Sequence, residues 1–346
     1  MPTWRQGTAV GEWRQVSSTA LSAGPMAVVT YPPLGNTGPS SKIVAWTGFA
    51  VDTRDSSVYS AANGGHADYA GNEVNRIRLS DNVPAWTEAR TATPASQVVA
   101  SVTHYADGRP SSRHSYYGAW VNEVRGRTML IGGSPWGIGF GSGGVVDGFN
   151  IGAADWDTAG TYPTGPGNDF DSVGFAVVDQ KSTGDVFVFS NYSVLKWSNA
   201  TNAWTKRLSN TSIYGQYSAS AFDTKRNRAF VVGGNANAAG LYDVAANTLS
   251  AVTLTGPNAG SLADSGNGMV YDVLLDAYLL KTGAAGGTIY RINAQTFAVD
   301  TLTTTGSASV PATSNGVWRR FLYVPALKGV VYFPTYQGNL WFLRTN

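Results

Sequence analysis

The sequence predicts an all-β chain closed into a ring of repeated sheets, and three observations carry that expectation. First, residues 221–234, AFDTKRNRAFVVGG, recur in close variants along the chain: an apolar strand, a polar residue, a charged turn and a second apolar strand. Aligned on the polar residue, six copies centre on Asp52, Asn122, Asp179, Asp223, Asp272 and Pro325. They lie roughly 45 to 70 residues apart, the period of propeller blades and longer than that of helical repeats. Second, 41 glycines and 12% aromatic residues with only 13% charged residues suit many strands and turns and are too apolar for disorder. Third, a lone N-terminal strand at 12–19 matches a last repeat that ends one strand short. The predicted fold is a six-bladed β-propeller, with seven blades as the alternative. It occupies 1–346 as one domain, with 12–19 closing the last blade and blades at about 46–90, 113–162, 173–209, 217–256, 266–306 and 317–346.

Each element follows from its residues. Trp13 should point inward from the closing strand, whose pairing removes an exposed sheet edge. Residues 20–41, rich in Pro, Gly and Ser, read as a long crossing loop. The polar residue of each copy explains the turn after it, because Asp and Asn bond their own backbone two residues on and tolerate left-handed geometry. TRDSS, EVRGR, TKRNR and VPALKG are then hairpin connections between strands rich in Val, Phe, Tyr and Leu. The outer strands are anchored by Trp86, Trp156, Trp204, Leu249, Phe297 and, by closure, Trp13.

The glycine pairs ending the second strand (Gly64-Gly65, Gly132-Gly133, Gly233-Gly234), the apolar or aromatic residue of the third (Ile77, Phe149, Tyr242, Tyr290) and the later Trp resemble kelch repeats. The resemblance covers nearly the whole chain and extends, at the level of fold, to the central domain of galactose oxidase. Blades three, five and six lack the full double glycine. The resemblance implies a propeller and no single activity, since this architecture hosts enzymes, adaptors and lectin-like binders. Copper oxidase chemistry in that family uses a tyrosine cross-linked to a cysteine, and this chain has no cysteine.

Composition narrows the function further. A net charge of +2 over 346 residues indicates neither a nucleic-acid footprint nor an anionic-membrane surface. Zero cysteines exclude disulfides and thiolate chemistry. The segment MPTWRQGTAVGEW lacks the basic and apolar regions of a secretory signal, and no run reaches membrane-span length. A secreted or virion-exposed protein is the context favoured by low charge and a Ser/Thr/Asn-rich surface.

In a four-stranded blade the strand two-to-three and inter-blade connections open on one face, and here those are the long and variable ones. The other face carries short turns with Arg54, Arg125, Lys181, Arg226 and Lys328, read as isolated solvent charges. All three histidines, His66, His104 and His114, fall in the long loops 64–73 and 91–117, beside Asp68, Tyr69, Tyr105, Arg109, Arg113 and Tyr116. These are expected to converge on one concave site, with Trp136 and Phe140 at its rim for sugar or protein contact. The plain structural alternative is that His66, His104, His114 and Arg113 bond blade-edge carbonyls and that Asp68 pairs with Arg109. No histidine pair has metal-ligand spacing, and GIGFGSGG opens onto a strand with no helix to hold phosphate, so neither a metal nor a cofactor is expected.

Two functions follow. The first is a non-enzymatic binding module for a glycan or protein partner on the long-loop face. The alternative is a polysaccharide lyase, with Arg109 or Arg113 neutralising a uronate, His66 or His104 as base, and Tyr69, His114 or Tyr116 assisting. A glycosidase would need two inward carboxylates among Asp68, Asp107, Asp169 and Asp171.

Overall fold

Each copy of the repeat becomes the inner half of one blade. In the computed structural model, which describes residues 1–27, 32–33, 35–138, 141, 143–166, 175–190, 193–209, 217–234 and 238–346, six four-stranded antiparallel sheets form the blades of a propeller. Blade 1 runs outward through Ala50–Asp52, Ser57–Ala61, Val74–Arg78 and Trp86–Arg90; blade 2 through Ala119–Asn122, Arg127–Ile131, Val146–Asn150 and Asp155–Trp156. Blade 3 comprises Ala176–Gln180, Asp185–Phe189, Ser193–Ser198 and Ala203–Ser209, and blade 4 Ala219–Asp223, Arg228–Gly233, Ala238–Asp243 and Thr248–Ala251. Blade 5 holds Gly268–Asp272, Ala277–Lys281, Tyr290–Asn293 and Val299–Thr301.

Blade 6 is built from both ends of the chain. Phe321–Val324, Gly329–Tyr332 and Trp341–Arg344 supply three strands, and Trp13–Gln15 adds the fourth with Trp13 opposite Leu343. Trp13 is 3% exposed, and its indole N–H donates to the Gly287 carbonyl of blade 5 at 2.9 Å. The closing strand expected at 12–19 is thus shorter, and Glu12 instead bridges Thr305.

The turn chemistry holds in four copies. The side-chain oxygens of Asp52, Asn122, Asp223 and Asp272 accept backbone N–H bonds from Arg54, Arg125, Lys225 and Leu274 at 2.9–3.1 Å. Asp179 departs from the pattern. Its carboxylate turns into the axis to pair with Lys181 and Arg319, while its turn closes through Gly184, at φ 74°, donating to the Gln180 carbonyl. Pro325 opens the 3-10 turn Pro325–Leu327, which ends on a left-handed Lys328.

Most turn cations are not isolated. Arg54 of blade 1 donates to the Glu123 carbonyl of blade 2, and Arg125 of blade 2 to the side chain and carbonyl of Asn199 in blade 3. Gln180 of blade 3 reaches Asn227 of blade 4, Arg226 of blade 4 grips both oxygens of Asp276 in blade 5, and Thr345 and Asn346 beyond blade 6 bond Asp272 of blade 5. A polar belt therefore joins neighbouring blades on the short-turn face; Lys328 alone of the five cations is an exposed side chain with only backbone bonds at its residue.

Two further placements differ from the sequence reading. Phe297 lies in the turn before its outer strand, at φ 57°, because the chain must reverse there. Arg113–His114 pairs with Ser134–Pro135 in a separate ribbon, and the left-handed Tyr116 redirects the chain before blade 2 begins at Ala119. The 20–41 crossing contains the 3-10 turns Leu21–Ala23 and Gly38–Ser40 among its described residues. Among the described residues no helix is long and apolar enough to cross a membrane.

Apolar residues fill the spaces between blades, but one interface buries a cation. Lys281, 1% exposed, donates to the carbonyls of Thr282 and Ala284 and lies 5.4 Å from the Tyr332 ring centre. Burial brings its pKa down from 10.5 to about 8. Below pH 8 the native state carries the desolvated charge; between about 8 and 10.5 the native amine loses its proton before the unfolded one does, so stability rises with pH there. Urea unfolding should show wild type gaining about 3 kcal/mol on Lys281→Met across that window. A pH-independent difference would contradict this. Trp13→Ala should cost about 3–5 kcal/mol, since it leaves a large cavity and an unpaired Gly287 carbonyl at the ring's seam. A loss under about 1 kcal/mol would show that the seam does not govern stability.

Candidate functional site

On the long-loop face the chain enters the inner strands of blades 1, 2, 4, 5 and 6 through a turn beside the axis. Trp46, Tyr116, Tyr217 and Trp318 occupy these entries in blades 1, 2, 4 and 6, and all four have left-handed backbone, with φ of 49°, 48°, 67° and 51°. Blade 5 uses Gly266 at φ 72°. Bulky side chains rarely adopt this region, at a cost of order 1–3 kcal/mol each, so the surroundings must enforce it. A collar of backbone bonds does so: Tyr116 N–H to the Trp46 carbonyl, Gly266 N–H to Tyr217, Trp318 N–H to Gly266 and Phe49 N–H to Arg319.

The collar brings the rings together. Trp318 lies edge-on to Tyr116, Tyr117 and Tyr217 at 5.1–5.4 Å between centres, and Tyr116 stacks on Tyr217 at 5.8 Å. Trp318, Tyr116 and Tyr117 are buried, whereas Trp46 and Tyr217 are half-exposed. Burial pushes the Tyr116 and Tyr217 hydroxyls up, so both stay phenols at neutral pH and are unsuited to act as bases.

Against this collar stand three of the residues singled out by sequence. The His114 ring lies 5.0 Å from Trp46, 5.6 Å from His66 and 6.1 Å from Tyr116. Its Nε2 meets Asp68 Oδ2 at 2.8 Å, and Asp68 also accepts the Thr37 hydroxyl. Burial drives the His114 pKa down against the pull of Asp68 and with the push of His66. His114 is thus neutral near pH 7, donating from Nε2. That bond, opposed by burial and helped by Thr37, holds the Asp68 carboxyl below the usual range. His66 Nδ1 faces the Ile138 carbonyl at 2.9 Å, which only an N–H can satisfy, so in the neutral ring Nε2 is the accepting nitrogen. His66 itself sits at φ 44° on the left-handed turn after Gly65.

The other candidates are held in the surrounding frame. His104 Nε2 contacts Asp147 Oδ1 at 2.7 Å, and Arg113, fully buried, contacts Asp147 Oδ2 at 2.8 Å and the Gly132 carbonyl. Arg109 pairs with Asp107 at 3.4 Å, so the Asp68–Arg109 pair does not form; each carboxylate has a nearer cation or donor. Tyr69 is 1% exposed, and Tyr105, also buried, donates to the Ala70 carbonyl. Trp136 is half-buried, its backbone bonded to Ser101 and Ser112. Phe140, Asp169 and Asp171 lie outside the described residues. Among the described residues no three His, Asp or Glu side chains could hold a metal ion.

Trp46, Tyr217 and Trp318 escaped the sequence reading. A signal was present, an aromatic two to four residues ahead of each inner strand in WTGFA, YYGAW, YSASA and WRRFL, but the alignment stopped at the strands.

No protein-family model matches the sequence, and no curated protein does. Among solved structures the chain is similar to YjhT, with a TM-score of 0.54 at 12% identity over 85% of this chain and 92% of that one. A protein of unknown function from Bacteroides thetaiotaomicron is a weaker match, at TM-score 0.42 and 11% identity over 79% and 81% of the two chains. The likeness to YjhT is one of fold alone.

The His114–Asp68 pair makes a direct prediction. In an NMR titration His114 should titrate below 6.5, and Asp68→Asn, which removes the carboxylate that favours the charged ring, should move it lower still. Because the unfolded chain takes up the proton that native His114 refuses, acidification below pH 6.5 should destabilise the fold through this residue. A His114 pKa at or above 6.5 would rule this arrangement out.

Proposed function

We propose that the chain is a kelch-like binding propeller that takes a glycan on its long-loop face, at the aromatic collar. The observation that carries this reading is the half-exposed Trp46 face beside the His114–Asp68 pair and His66, with half-exposed Tyr217 joined to them through Tyr116. Flat rings pack on the apolar faces of sugars, while a fixed carboxylate and the acceptor nitrogen of a neutral imidazole accept bonds from hydroxyls. The strained backbone of the collar fixes those faces before any ligand arrives, which lowers the ordering cost of binding.

Elimination on an acidic polysaccharide draws less support. It needs a cation at the uronate carboxylate, and Arg109 and Arg113 are committed to Asp107 and Asp147. What favours it is His66, a half-exposed imidazole held by the Ile138 carbonyl at Nδ1, with no partner for Nε2 among the described residues.

A glycan array followed by calorimetry on the best ligand tests the proposal. Trp46→Ala should weaken that ligand by about 1–3 kcal/mol, and Asp68→Ala by a similar amount. Ultraviolet absorbance from an unsaturated product, lost in His66→Ala, would favour the lyase instead. Binding of a protein and no glycan, or unchanged glycan affinity in both variants, would refute the glycan reading.

A further inference from the structure

We propose that the axial funnel on the short-turn face is a second binding site, for a small uncharged molecule with an apolar body and one hydrogen-bond-accepting group. A cavity of about 310 Å³ runs along the axis, lined by the inner strands of all six blades. That size is at the lower end of small-molecule sites, roughly 300–1,000 Å³. None of the collar rings, Trp46, Tyr116, Tyr217 and Trp318, is among its lining residues, nor is buried Tyr117, whose hydroxyl donates to the Asn267 carbonyl at 2.6 Å. Its walls reach the turn residues Thr53, Lys181, Thr224, Val273 and Pro325. It is therefore separate from the collar site.

The walls differ in chemistry. Blades 4 to 6 contribute Phe222, Val270, Val273 and Tyr323, all half-exposed within the concavity. Apolar surface left facing water in a cleft is unfavourable, and an apolar ligand relieves it. The opposite wall carries a closed ionic group. Asp179 pairs with Arg319 and, at 3.1 Å, with Lys181, which also contacts Glu123 at 3.2 Å. Two cations and two carboxylates sum to no net charge, so neither an anion nor a cation is favoured.

Donor accounting selects the polar group of the ligand. The Lys181 ammonium has three N–H groups and four oxygens around it, the Val51 and Val121 carbonyls to which it donates and the Asp179 and Glu123 carboxylates with which it pairs. The Arg319 guanidinium has five N–H groups, and among the described residues it bonds only the Ala119 carbonyl and Asp179. Arg319 lines the funnel, and its spare N–H groups are the donors there that a ketone, amide or ether oxygen of the ligand would take up.

Prodan, a neutral naphthalene ketone whose emission shifts to the blue in apolar surroundings, is a suitable reporter, with naphthoate as its anionic counterpart. Saturable blue-shifted emission is expected, with naphthoate binding more weakly. Val270→Phe fills the funnel and should lower prodan affinity by roughly tenfold or more, while Trp46→Ala at the collar should leave it unchanged. If Val270→Phe does not fold, Thr224→Trp at the exposed rim serves the same purpose. The proposal is overturned by absence of saturable binding, by unchanged affinity in the filled funnel, by loss in Trp46→Ala, or by naphthoate binding as tightly as prodan.

Discussion

Ring closure through the N-terminal strand is the constraint on which the rest of this structure depends. Trp13–Gln15 completes blade 6, and the preceding residues extend the clasp to blade 1. Arg5 donates to the Leu327 carbonyl of blade 6, while the Trp4 indole donates to the carbonyls of Leu79 and Asp81 in blade 1. One continuous segment thus touches blades 5, 6 and 1. Closure gives blade 6 its fourth strand, so that all six blades are complete four-stranded sheets and only the short inner and outer edges left by radial repetition remain.

Given closure, the two faces are held by different means. Side chains bond across blade boundaries on the short-turn face, where Arg54, Arg125, Gln180 and Arg226 each reach into the next blade. Main-chain bonds around the axis hold the long-loop face, and their geometry demands positive φ from aromatic residues. The first device leaves the funnel mouth open. The second packs rings over the axis and closes it.

Trp318 and Arg319 join the two regions in adjacent residues. The Trp318 ring packs among the collar tyrosines, while the Arg319 guanidinium reaches across the axis to blade 2 and blade 3. The same ionic group accounts for Asp179. Burial would push its carboxyl up, but Lys181 and Arg319 prevail and hold it at about 2, so the carboxylate is charged across the ordinary pH range. Besides Lys181 of its own blade, the closed ring brings Arg319 from blade 6 to pair with this carboxylate.

Local sequence determined the repeat, the turn residues and the blade count, because hairpins depend on residues a few positions apart. Asp52 and Asn122 cap their own turns, and alternating apolar strands report their own burial. Even closure was legible, since an orphan strand at one end and a missing one at the other need each other. Tertiary structure alone decided which polar residues meet. His104 and Arg113 share Asp147 and His114 takes Asp68, because loops from different blades converge in ways that sequence distance does not encode, whereas Arg109 stays with Asp107 two residues away. Asp179 carries the same sequence signature as Asp52, yet it alone turns to the axis, where a lysine two residues on and an arginine 140 residues away are brought beside it. Short-range bonds follow from covalent neighbours; long-range charge pairing follows from the geometry that the finished ring imposes.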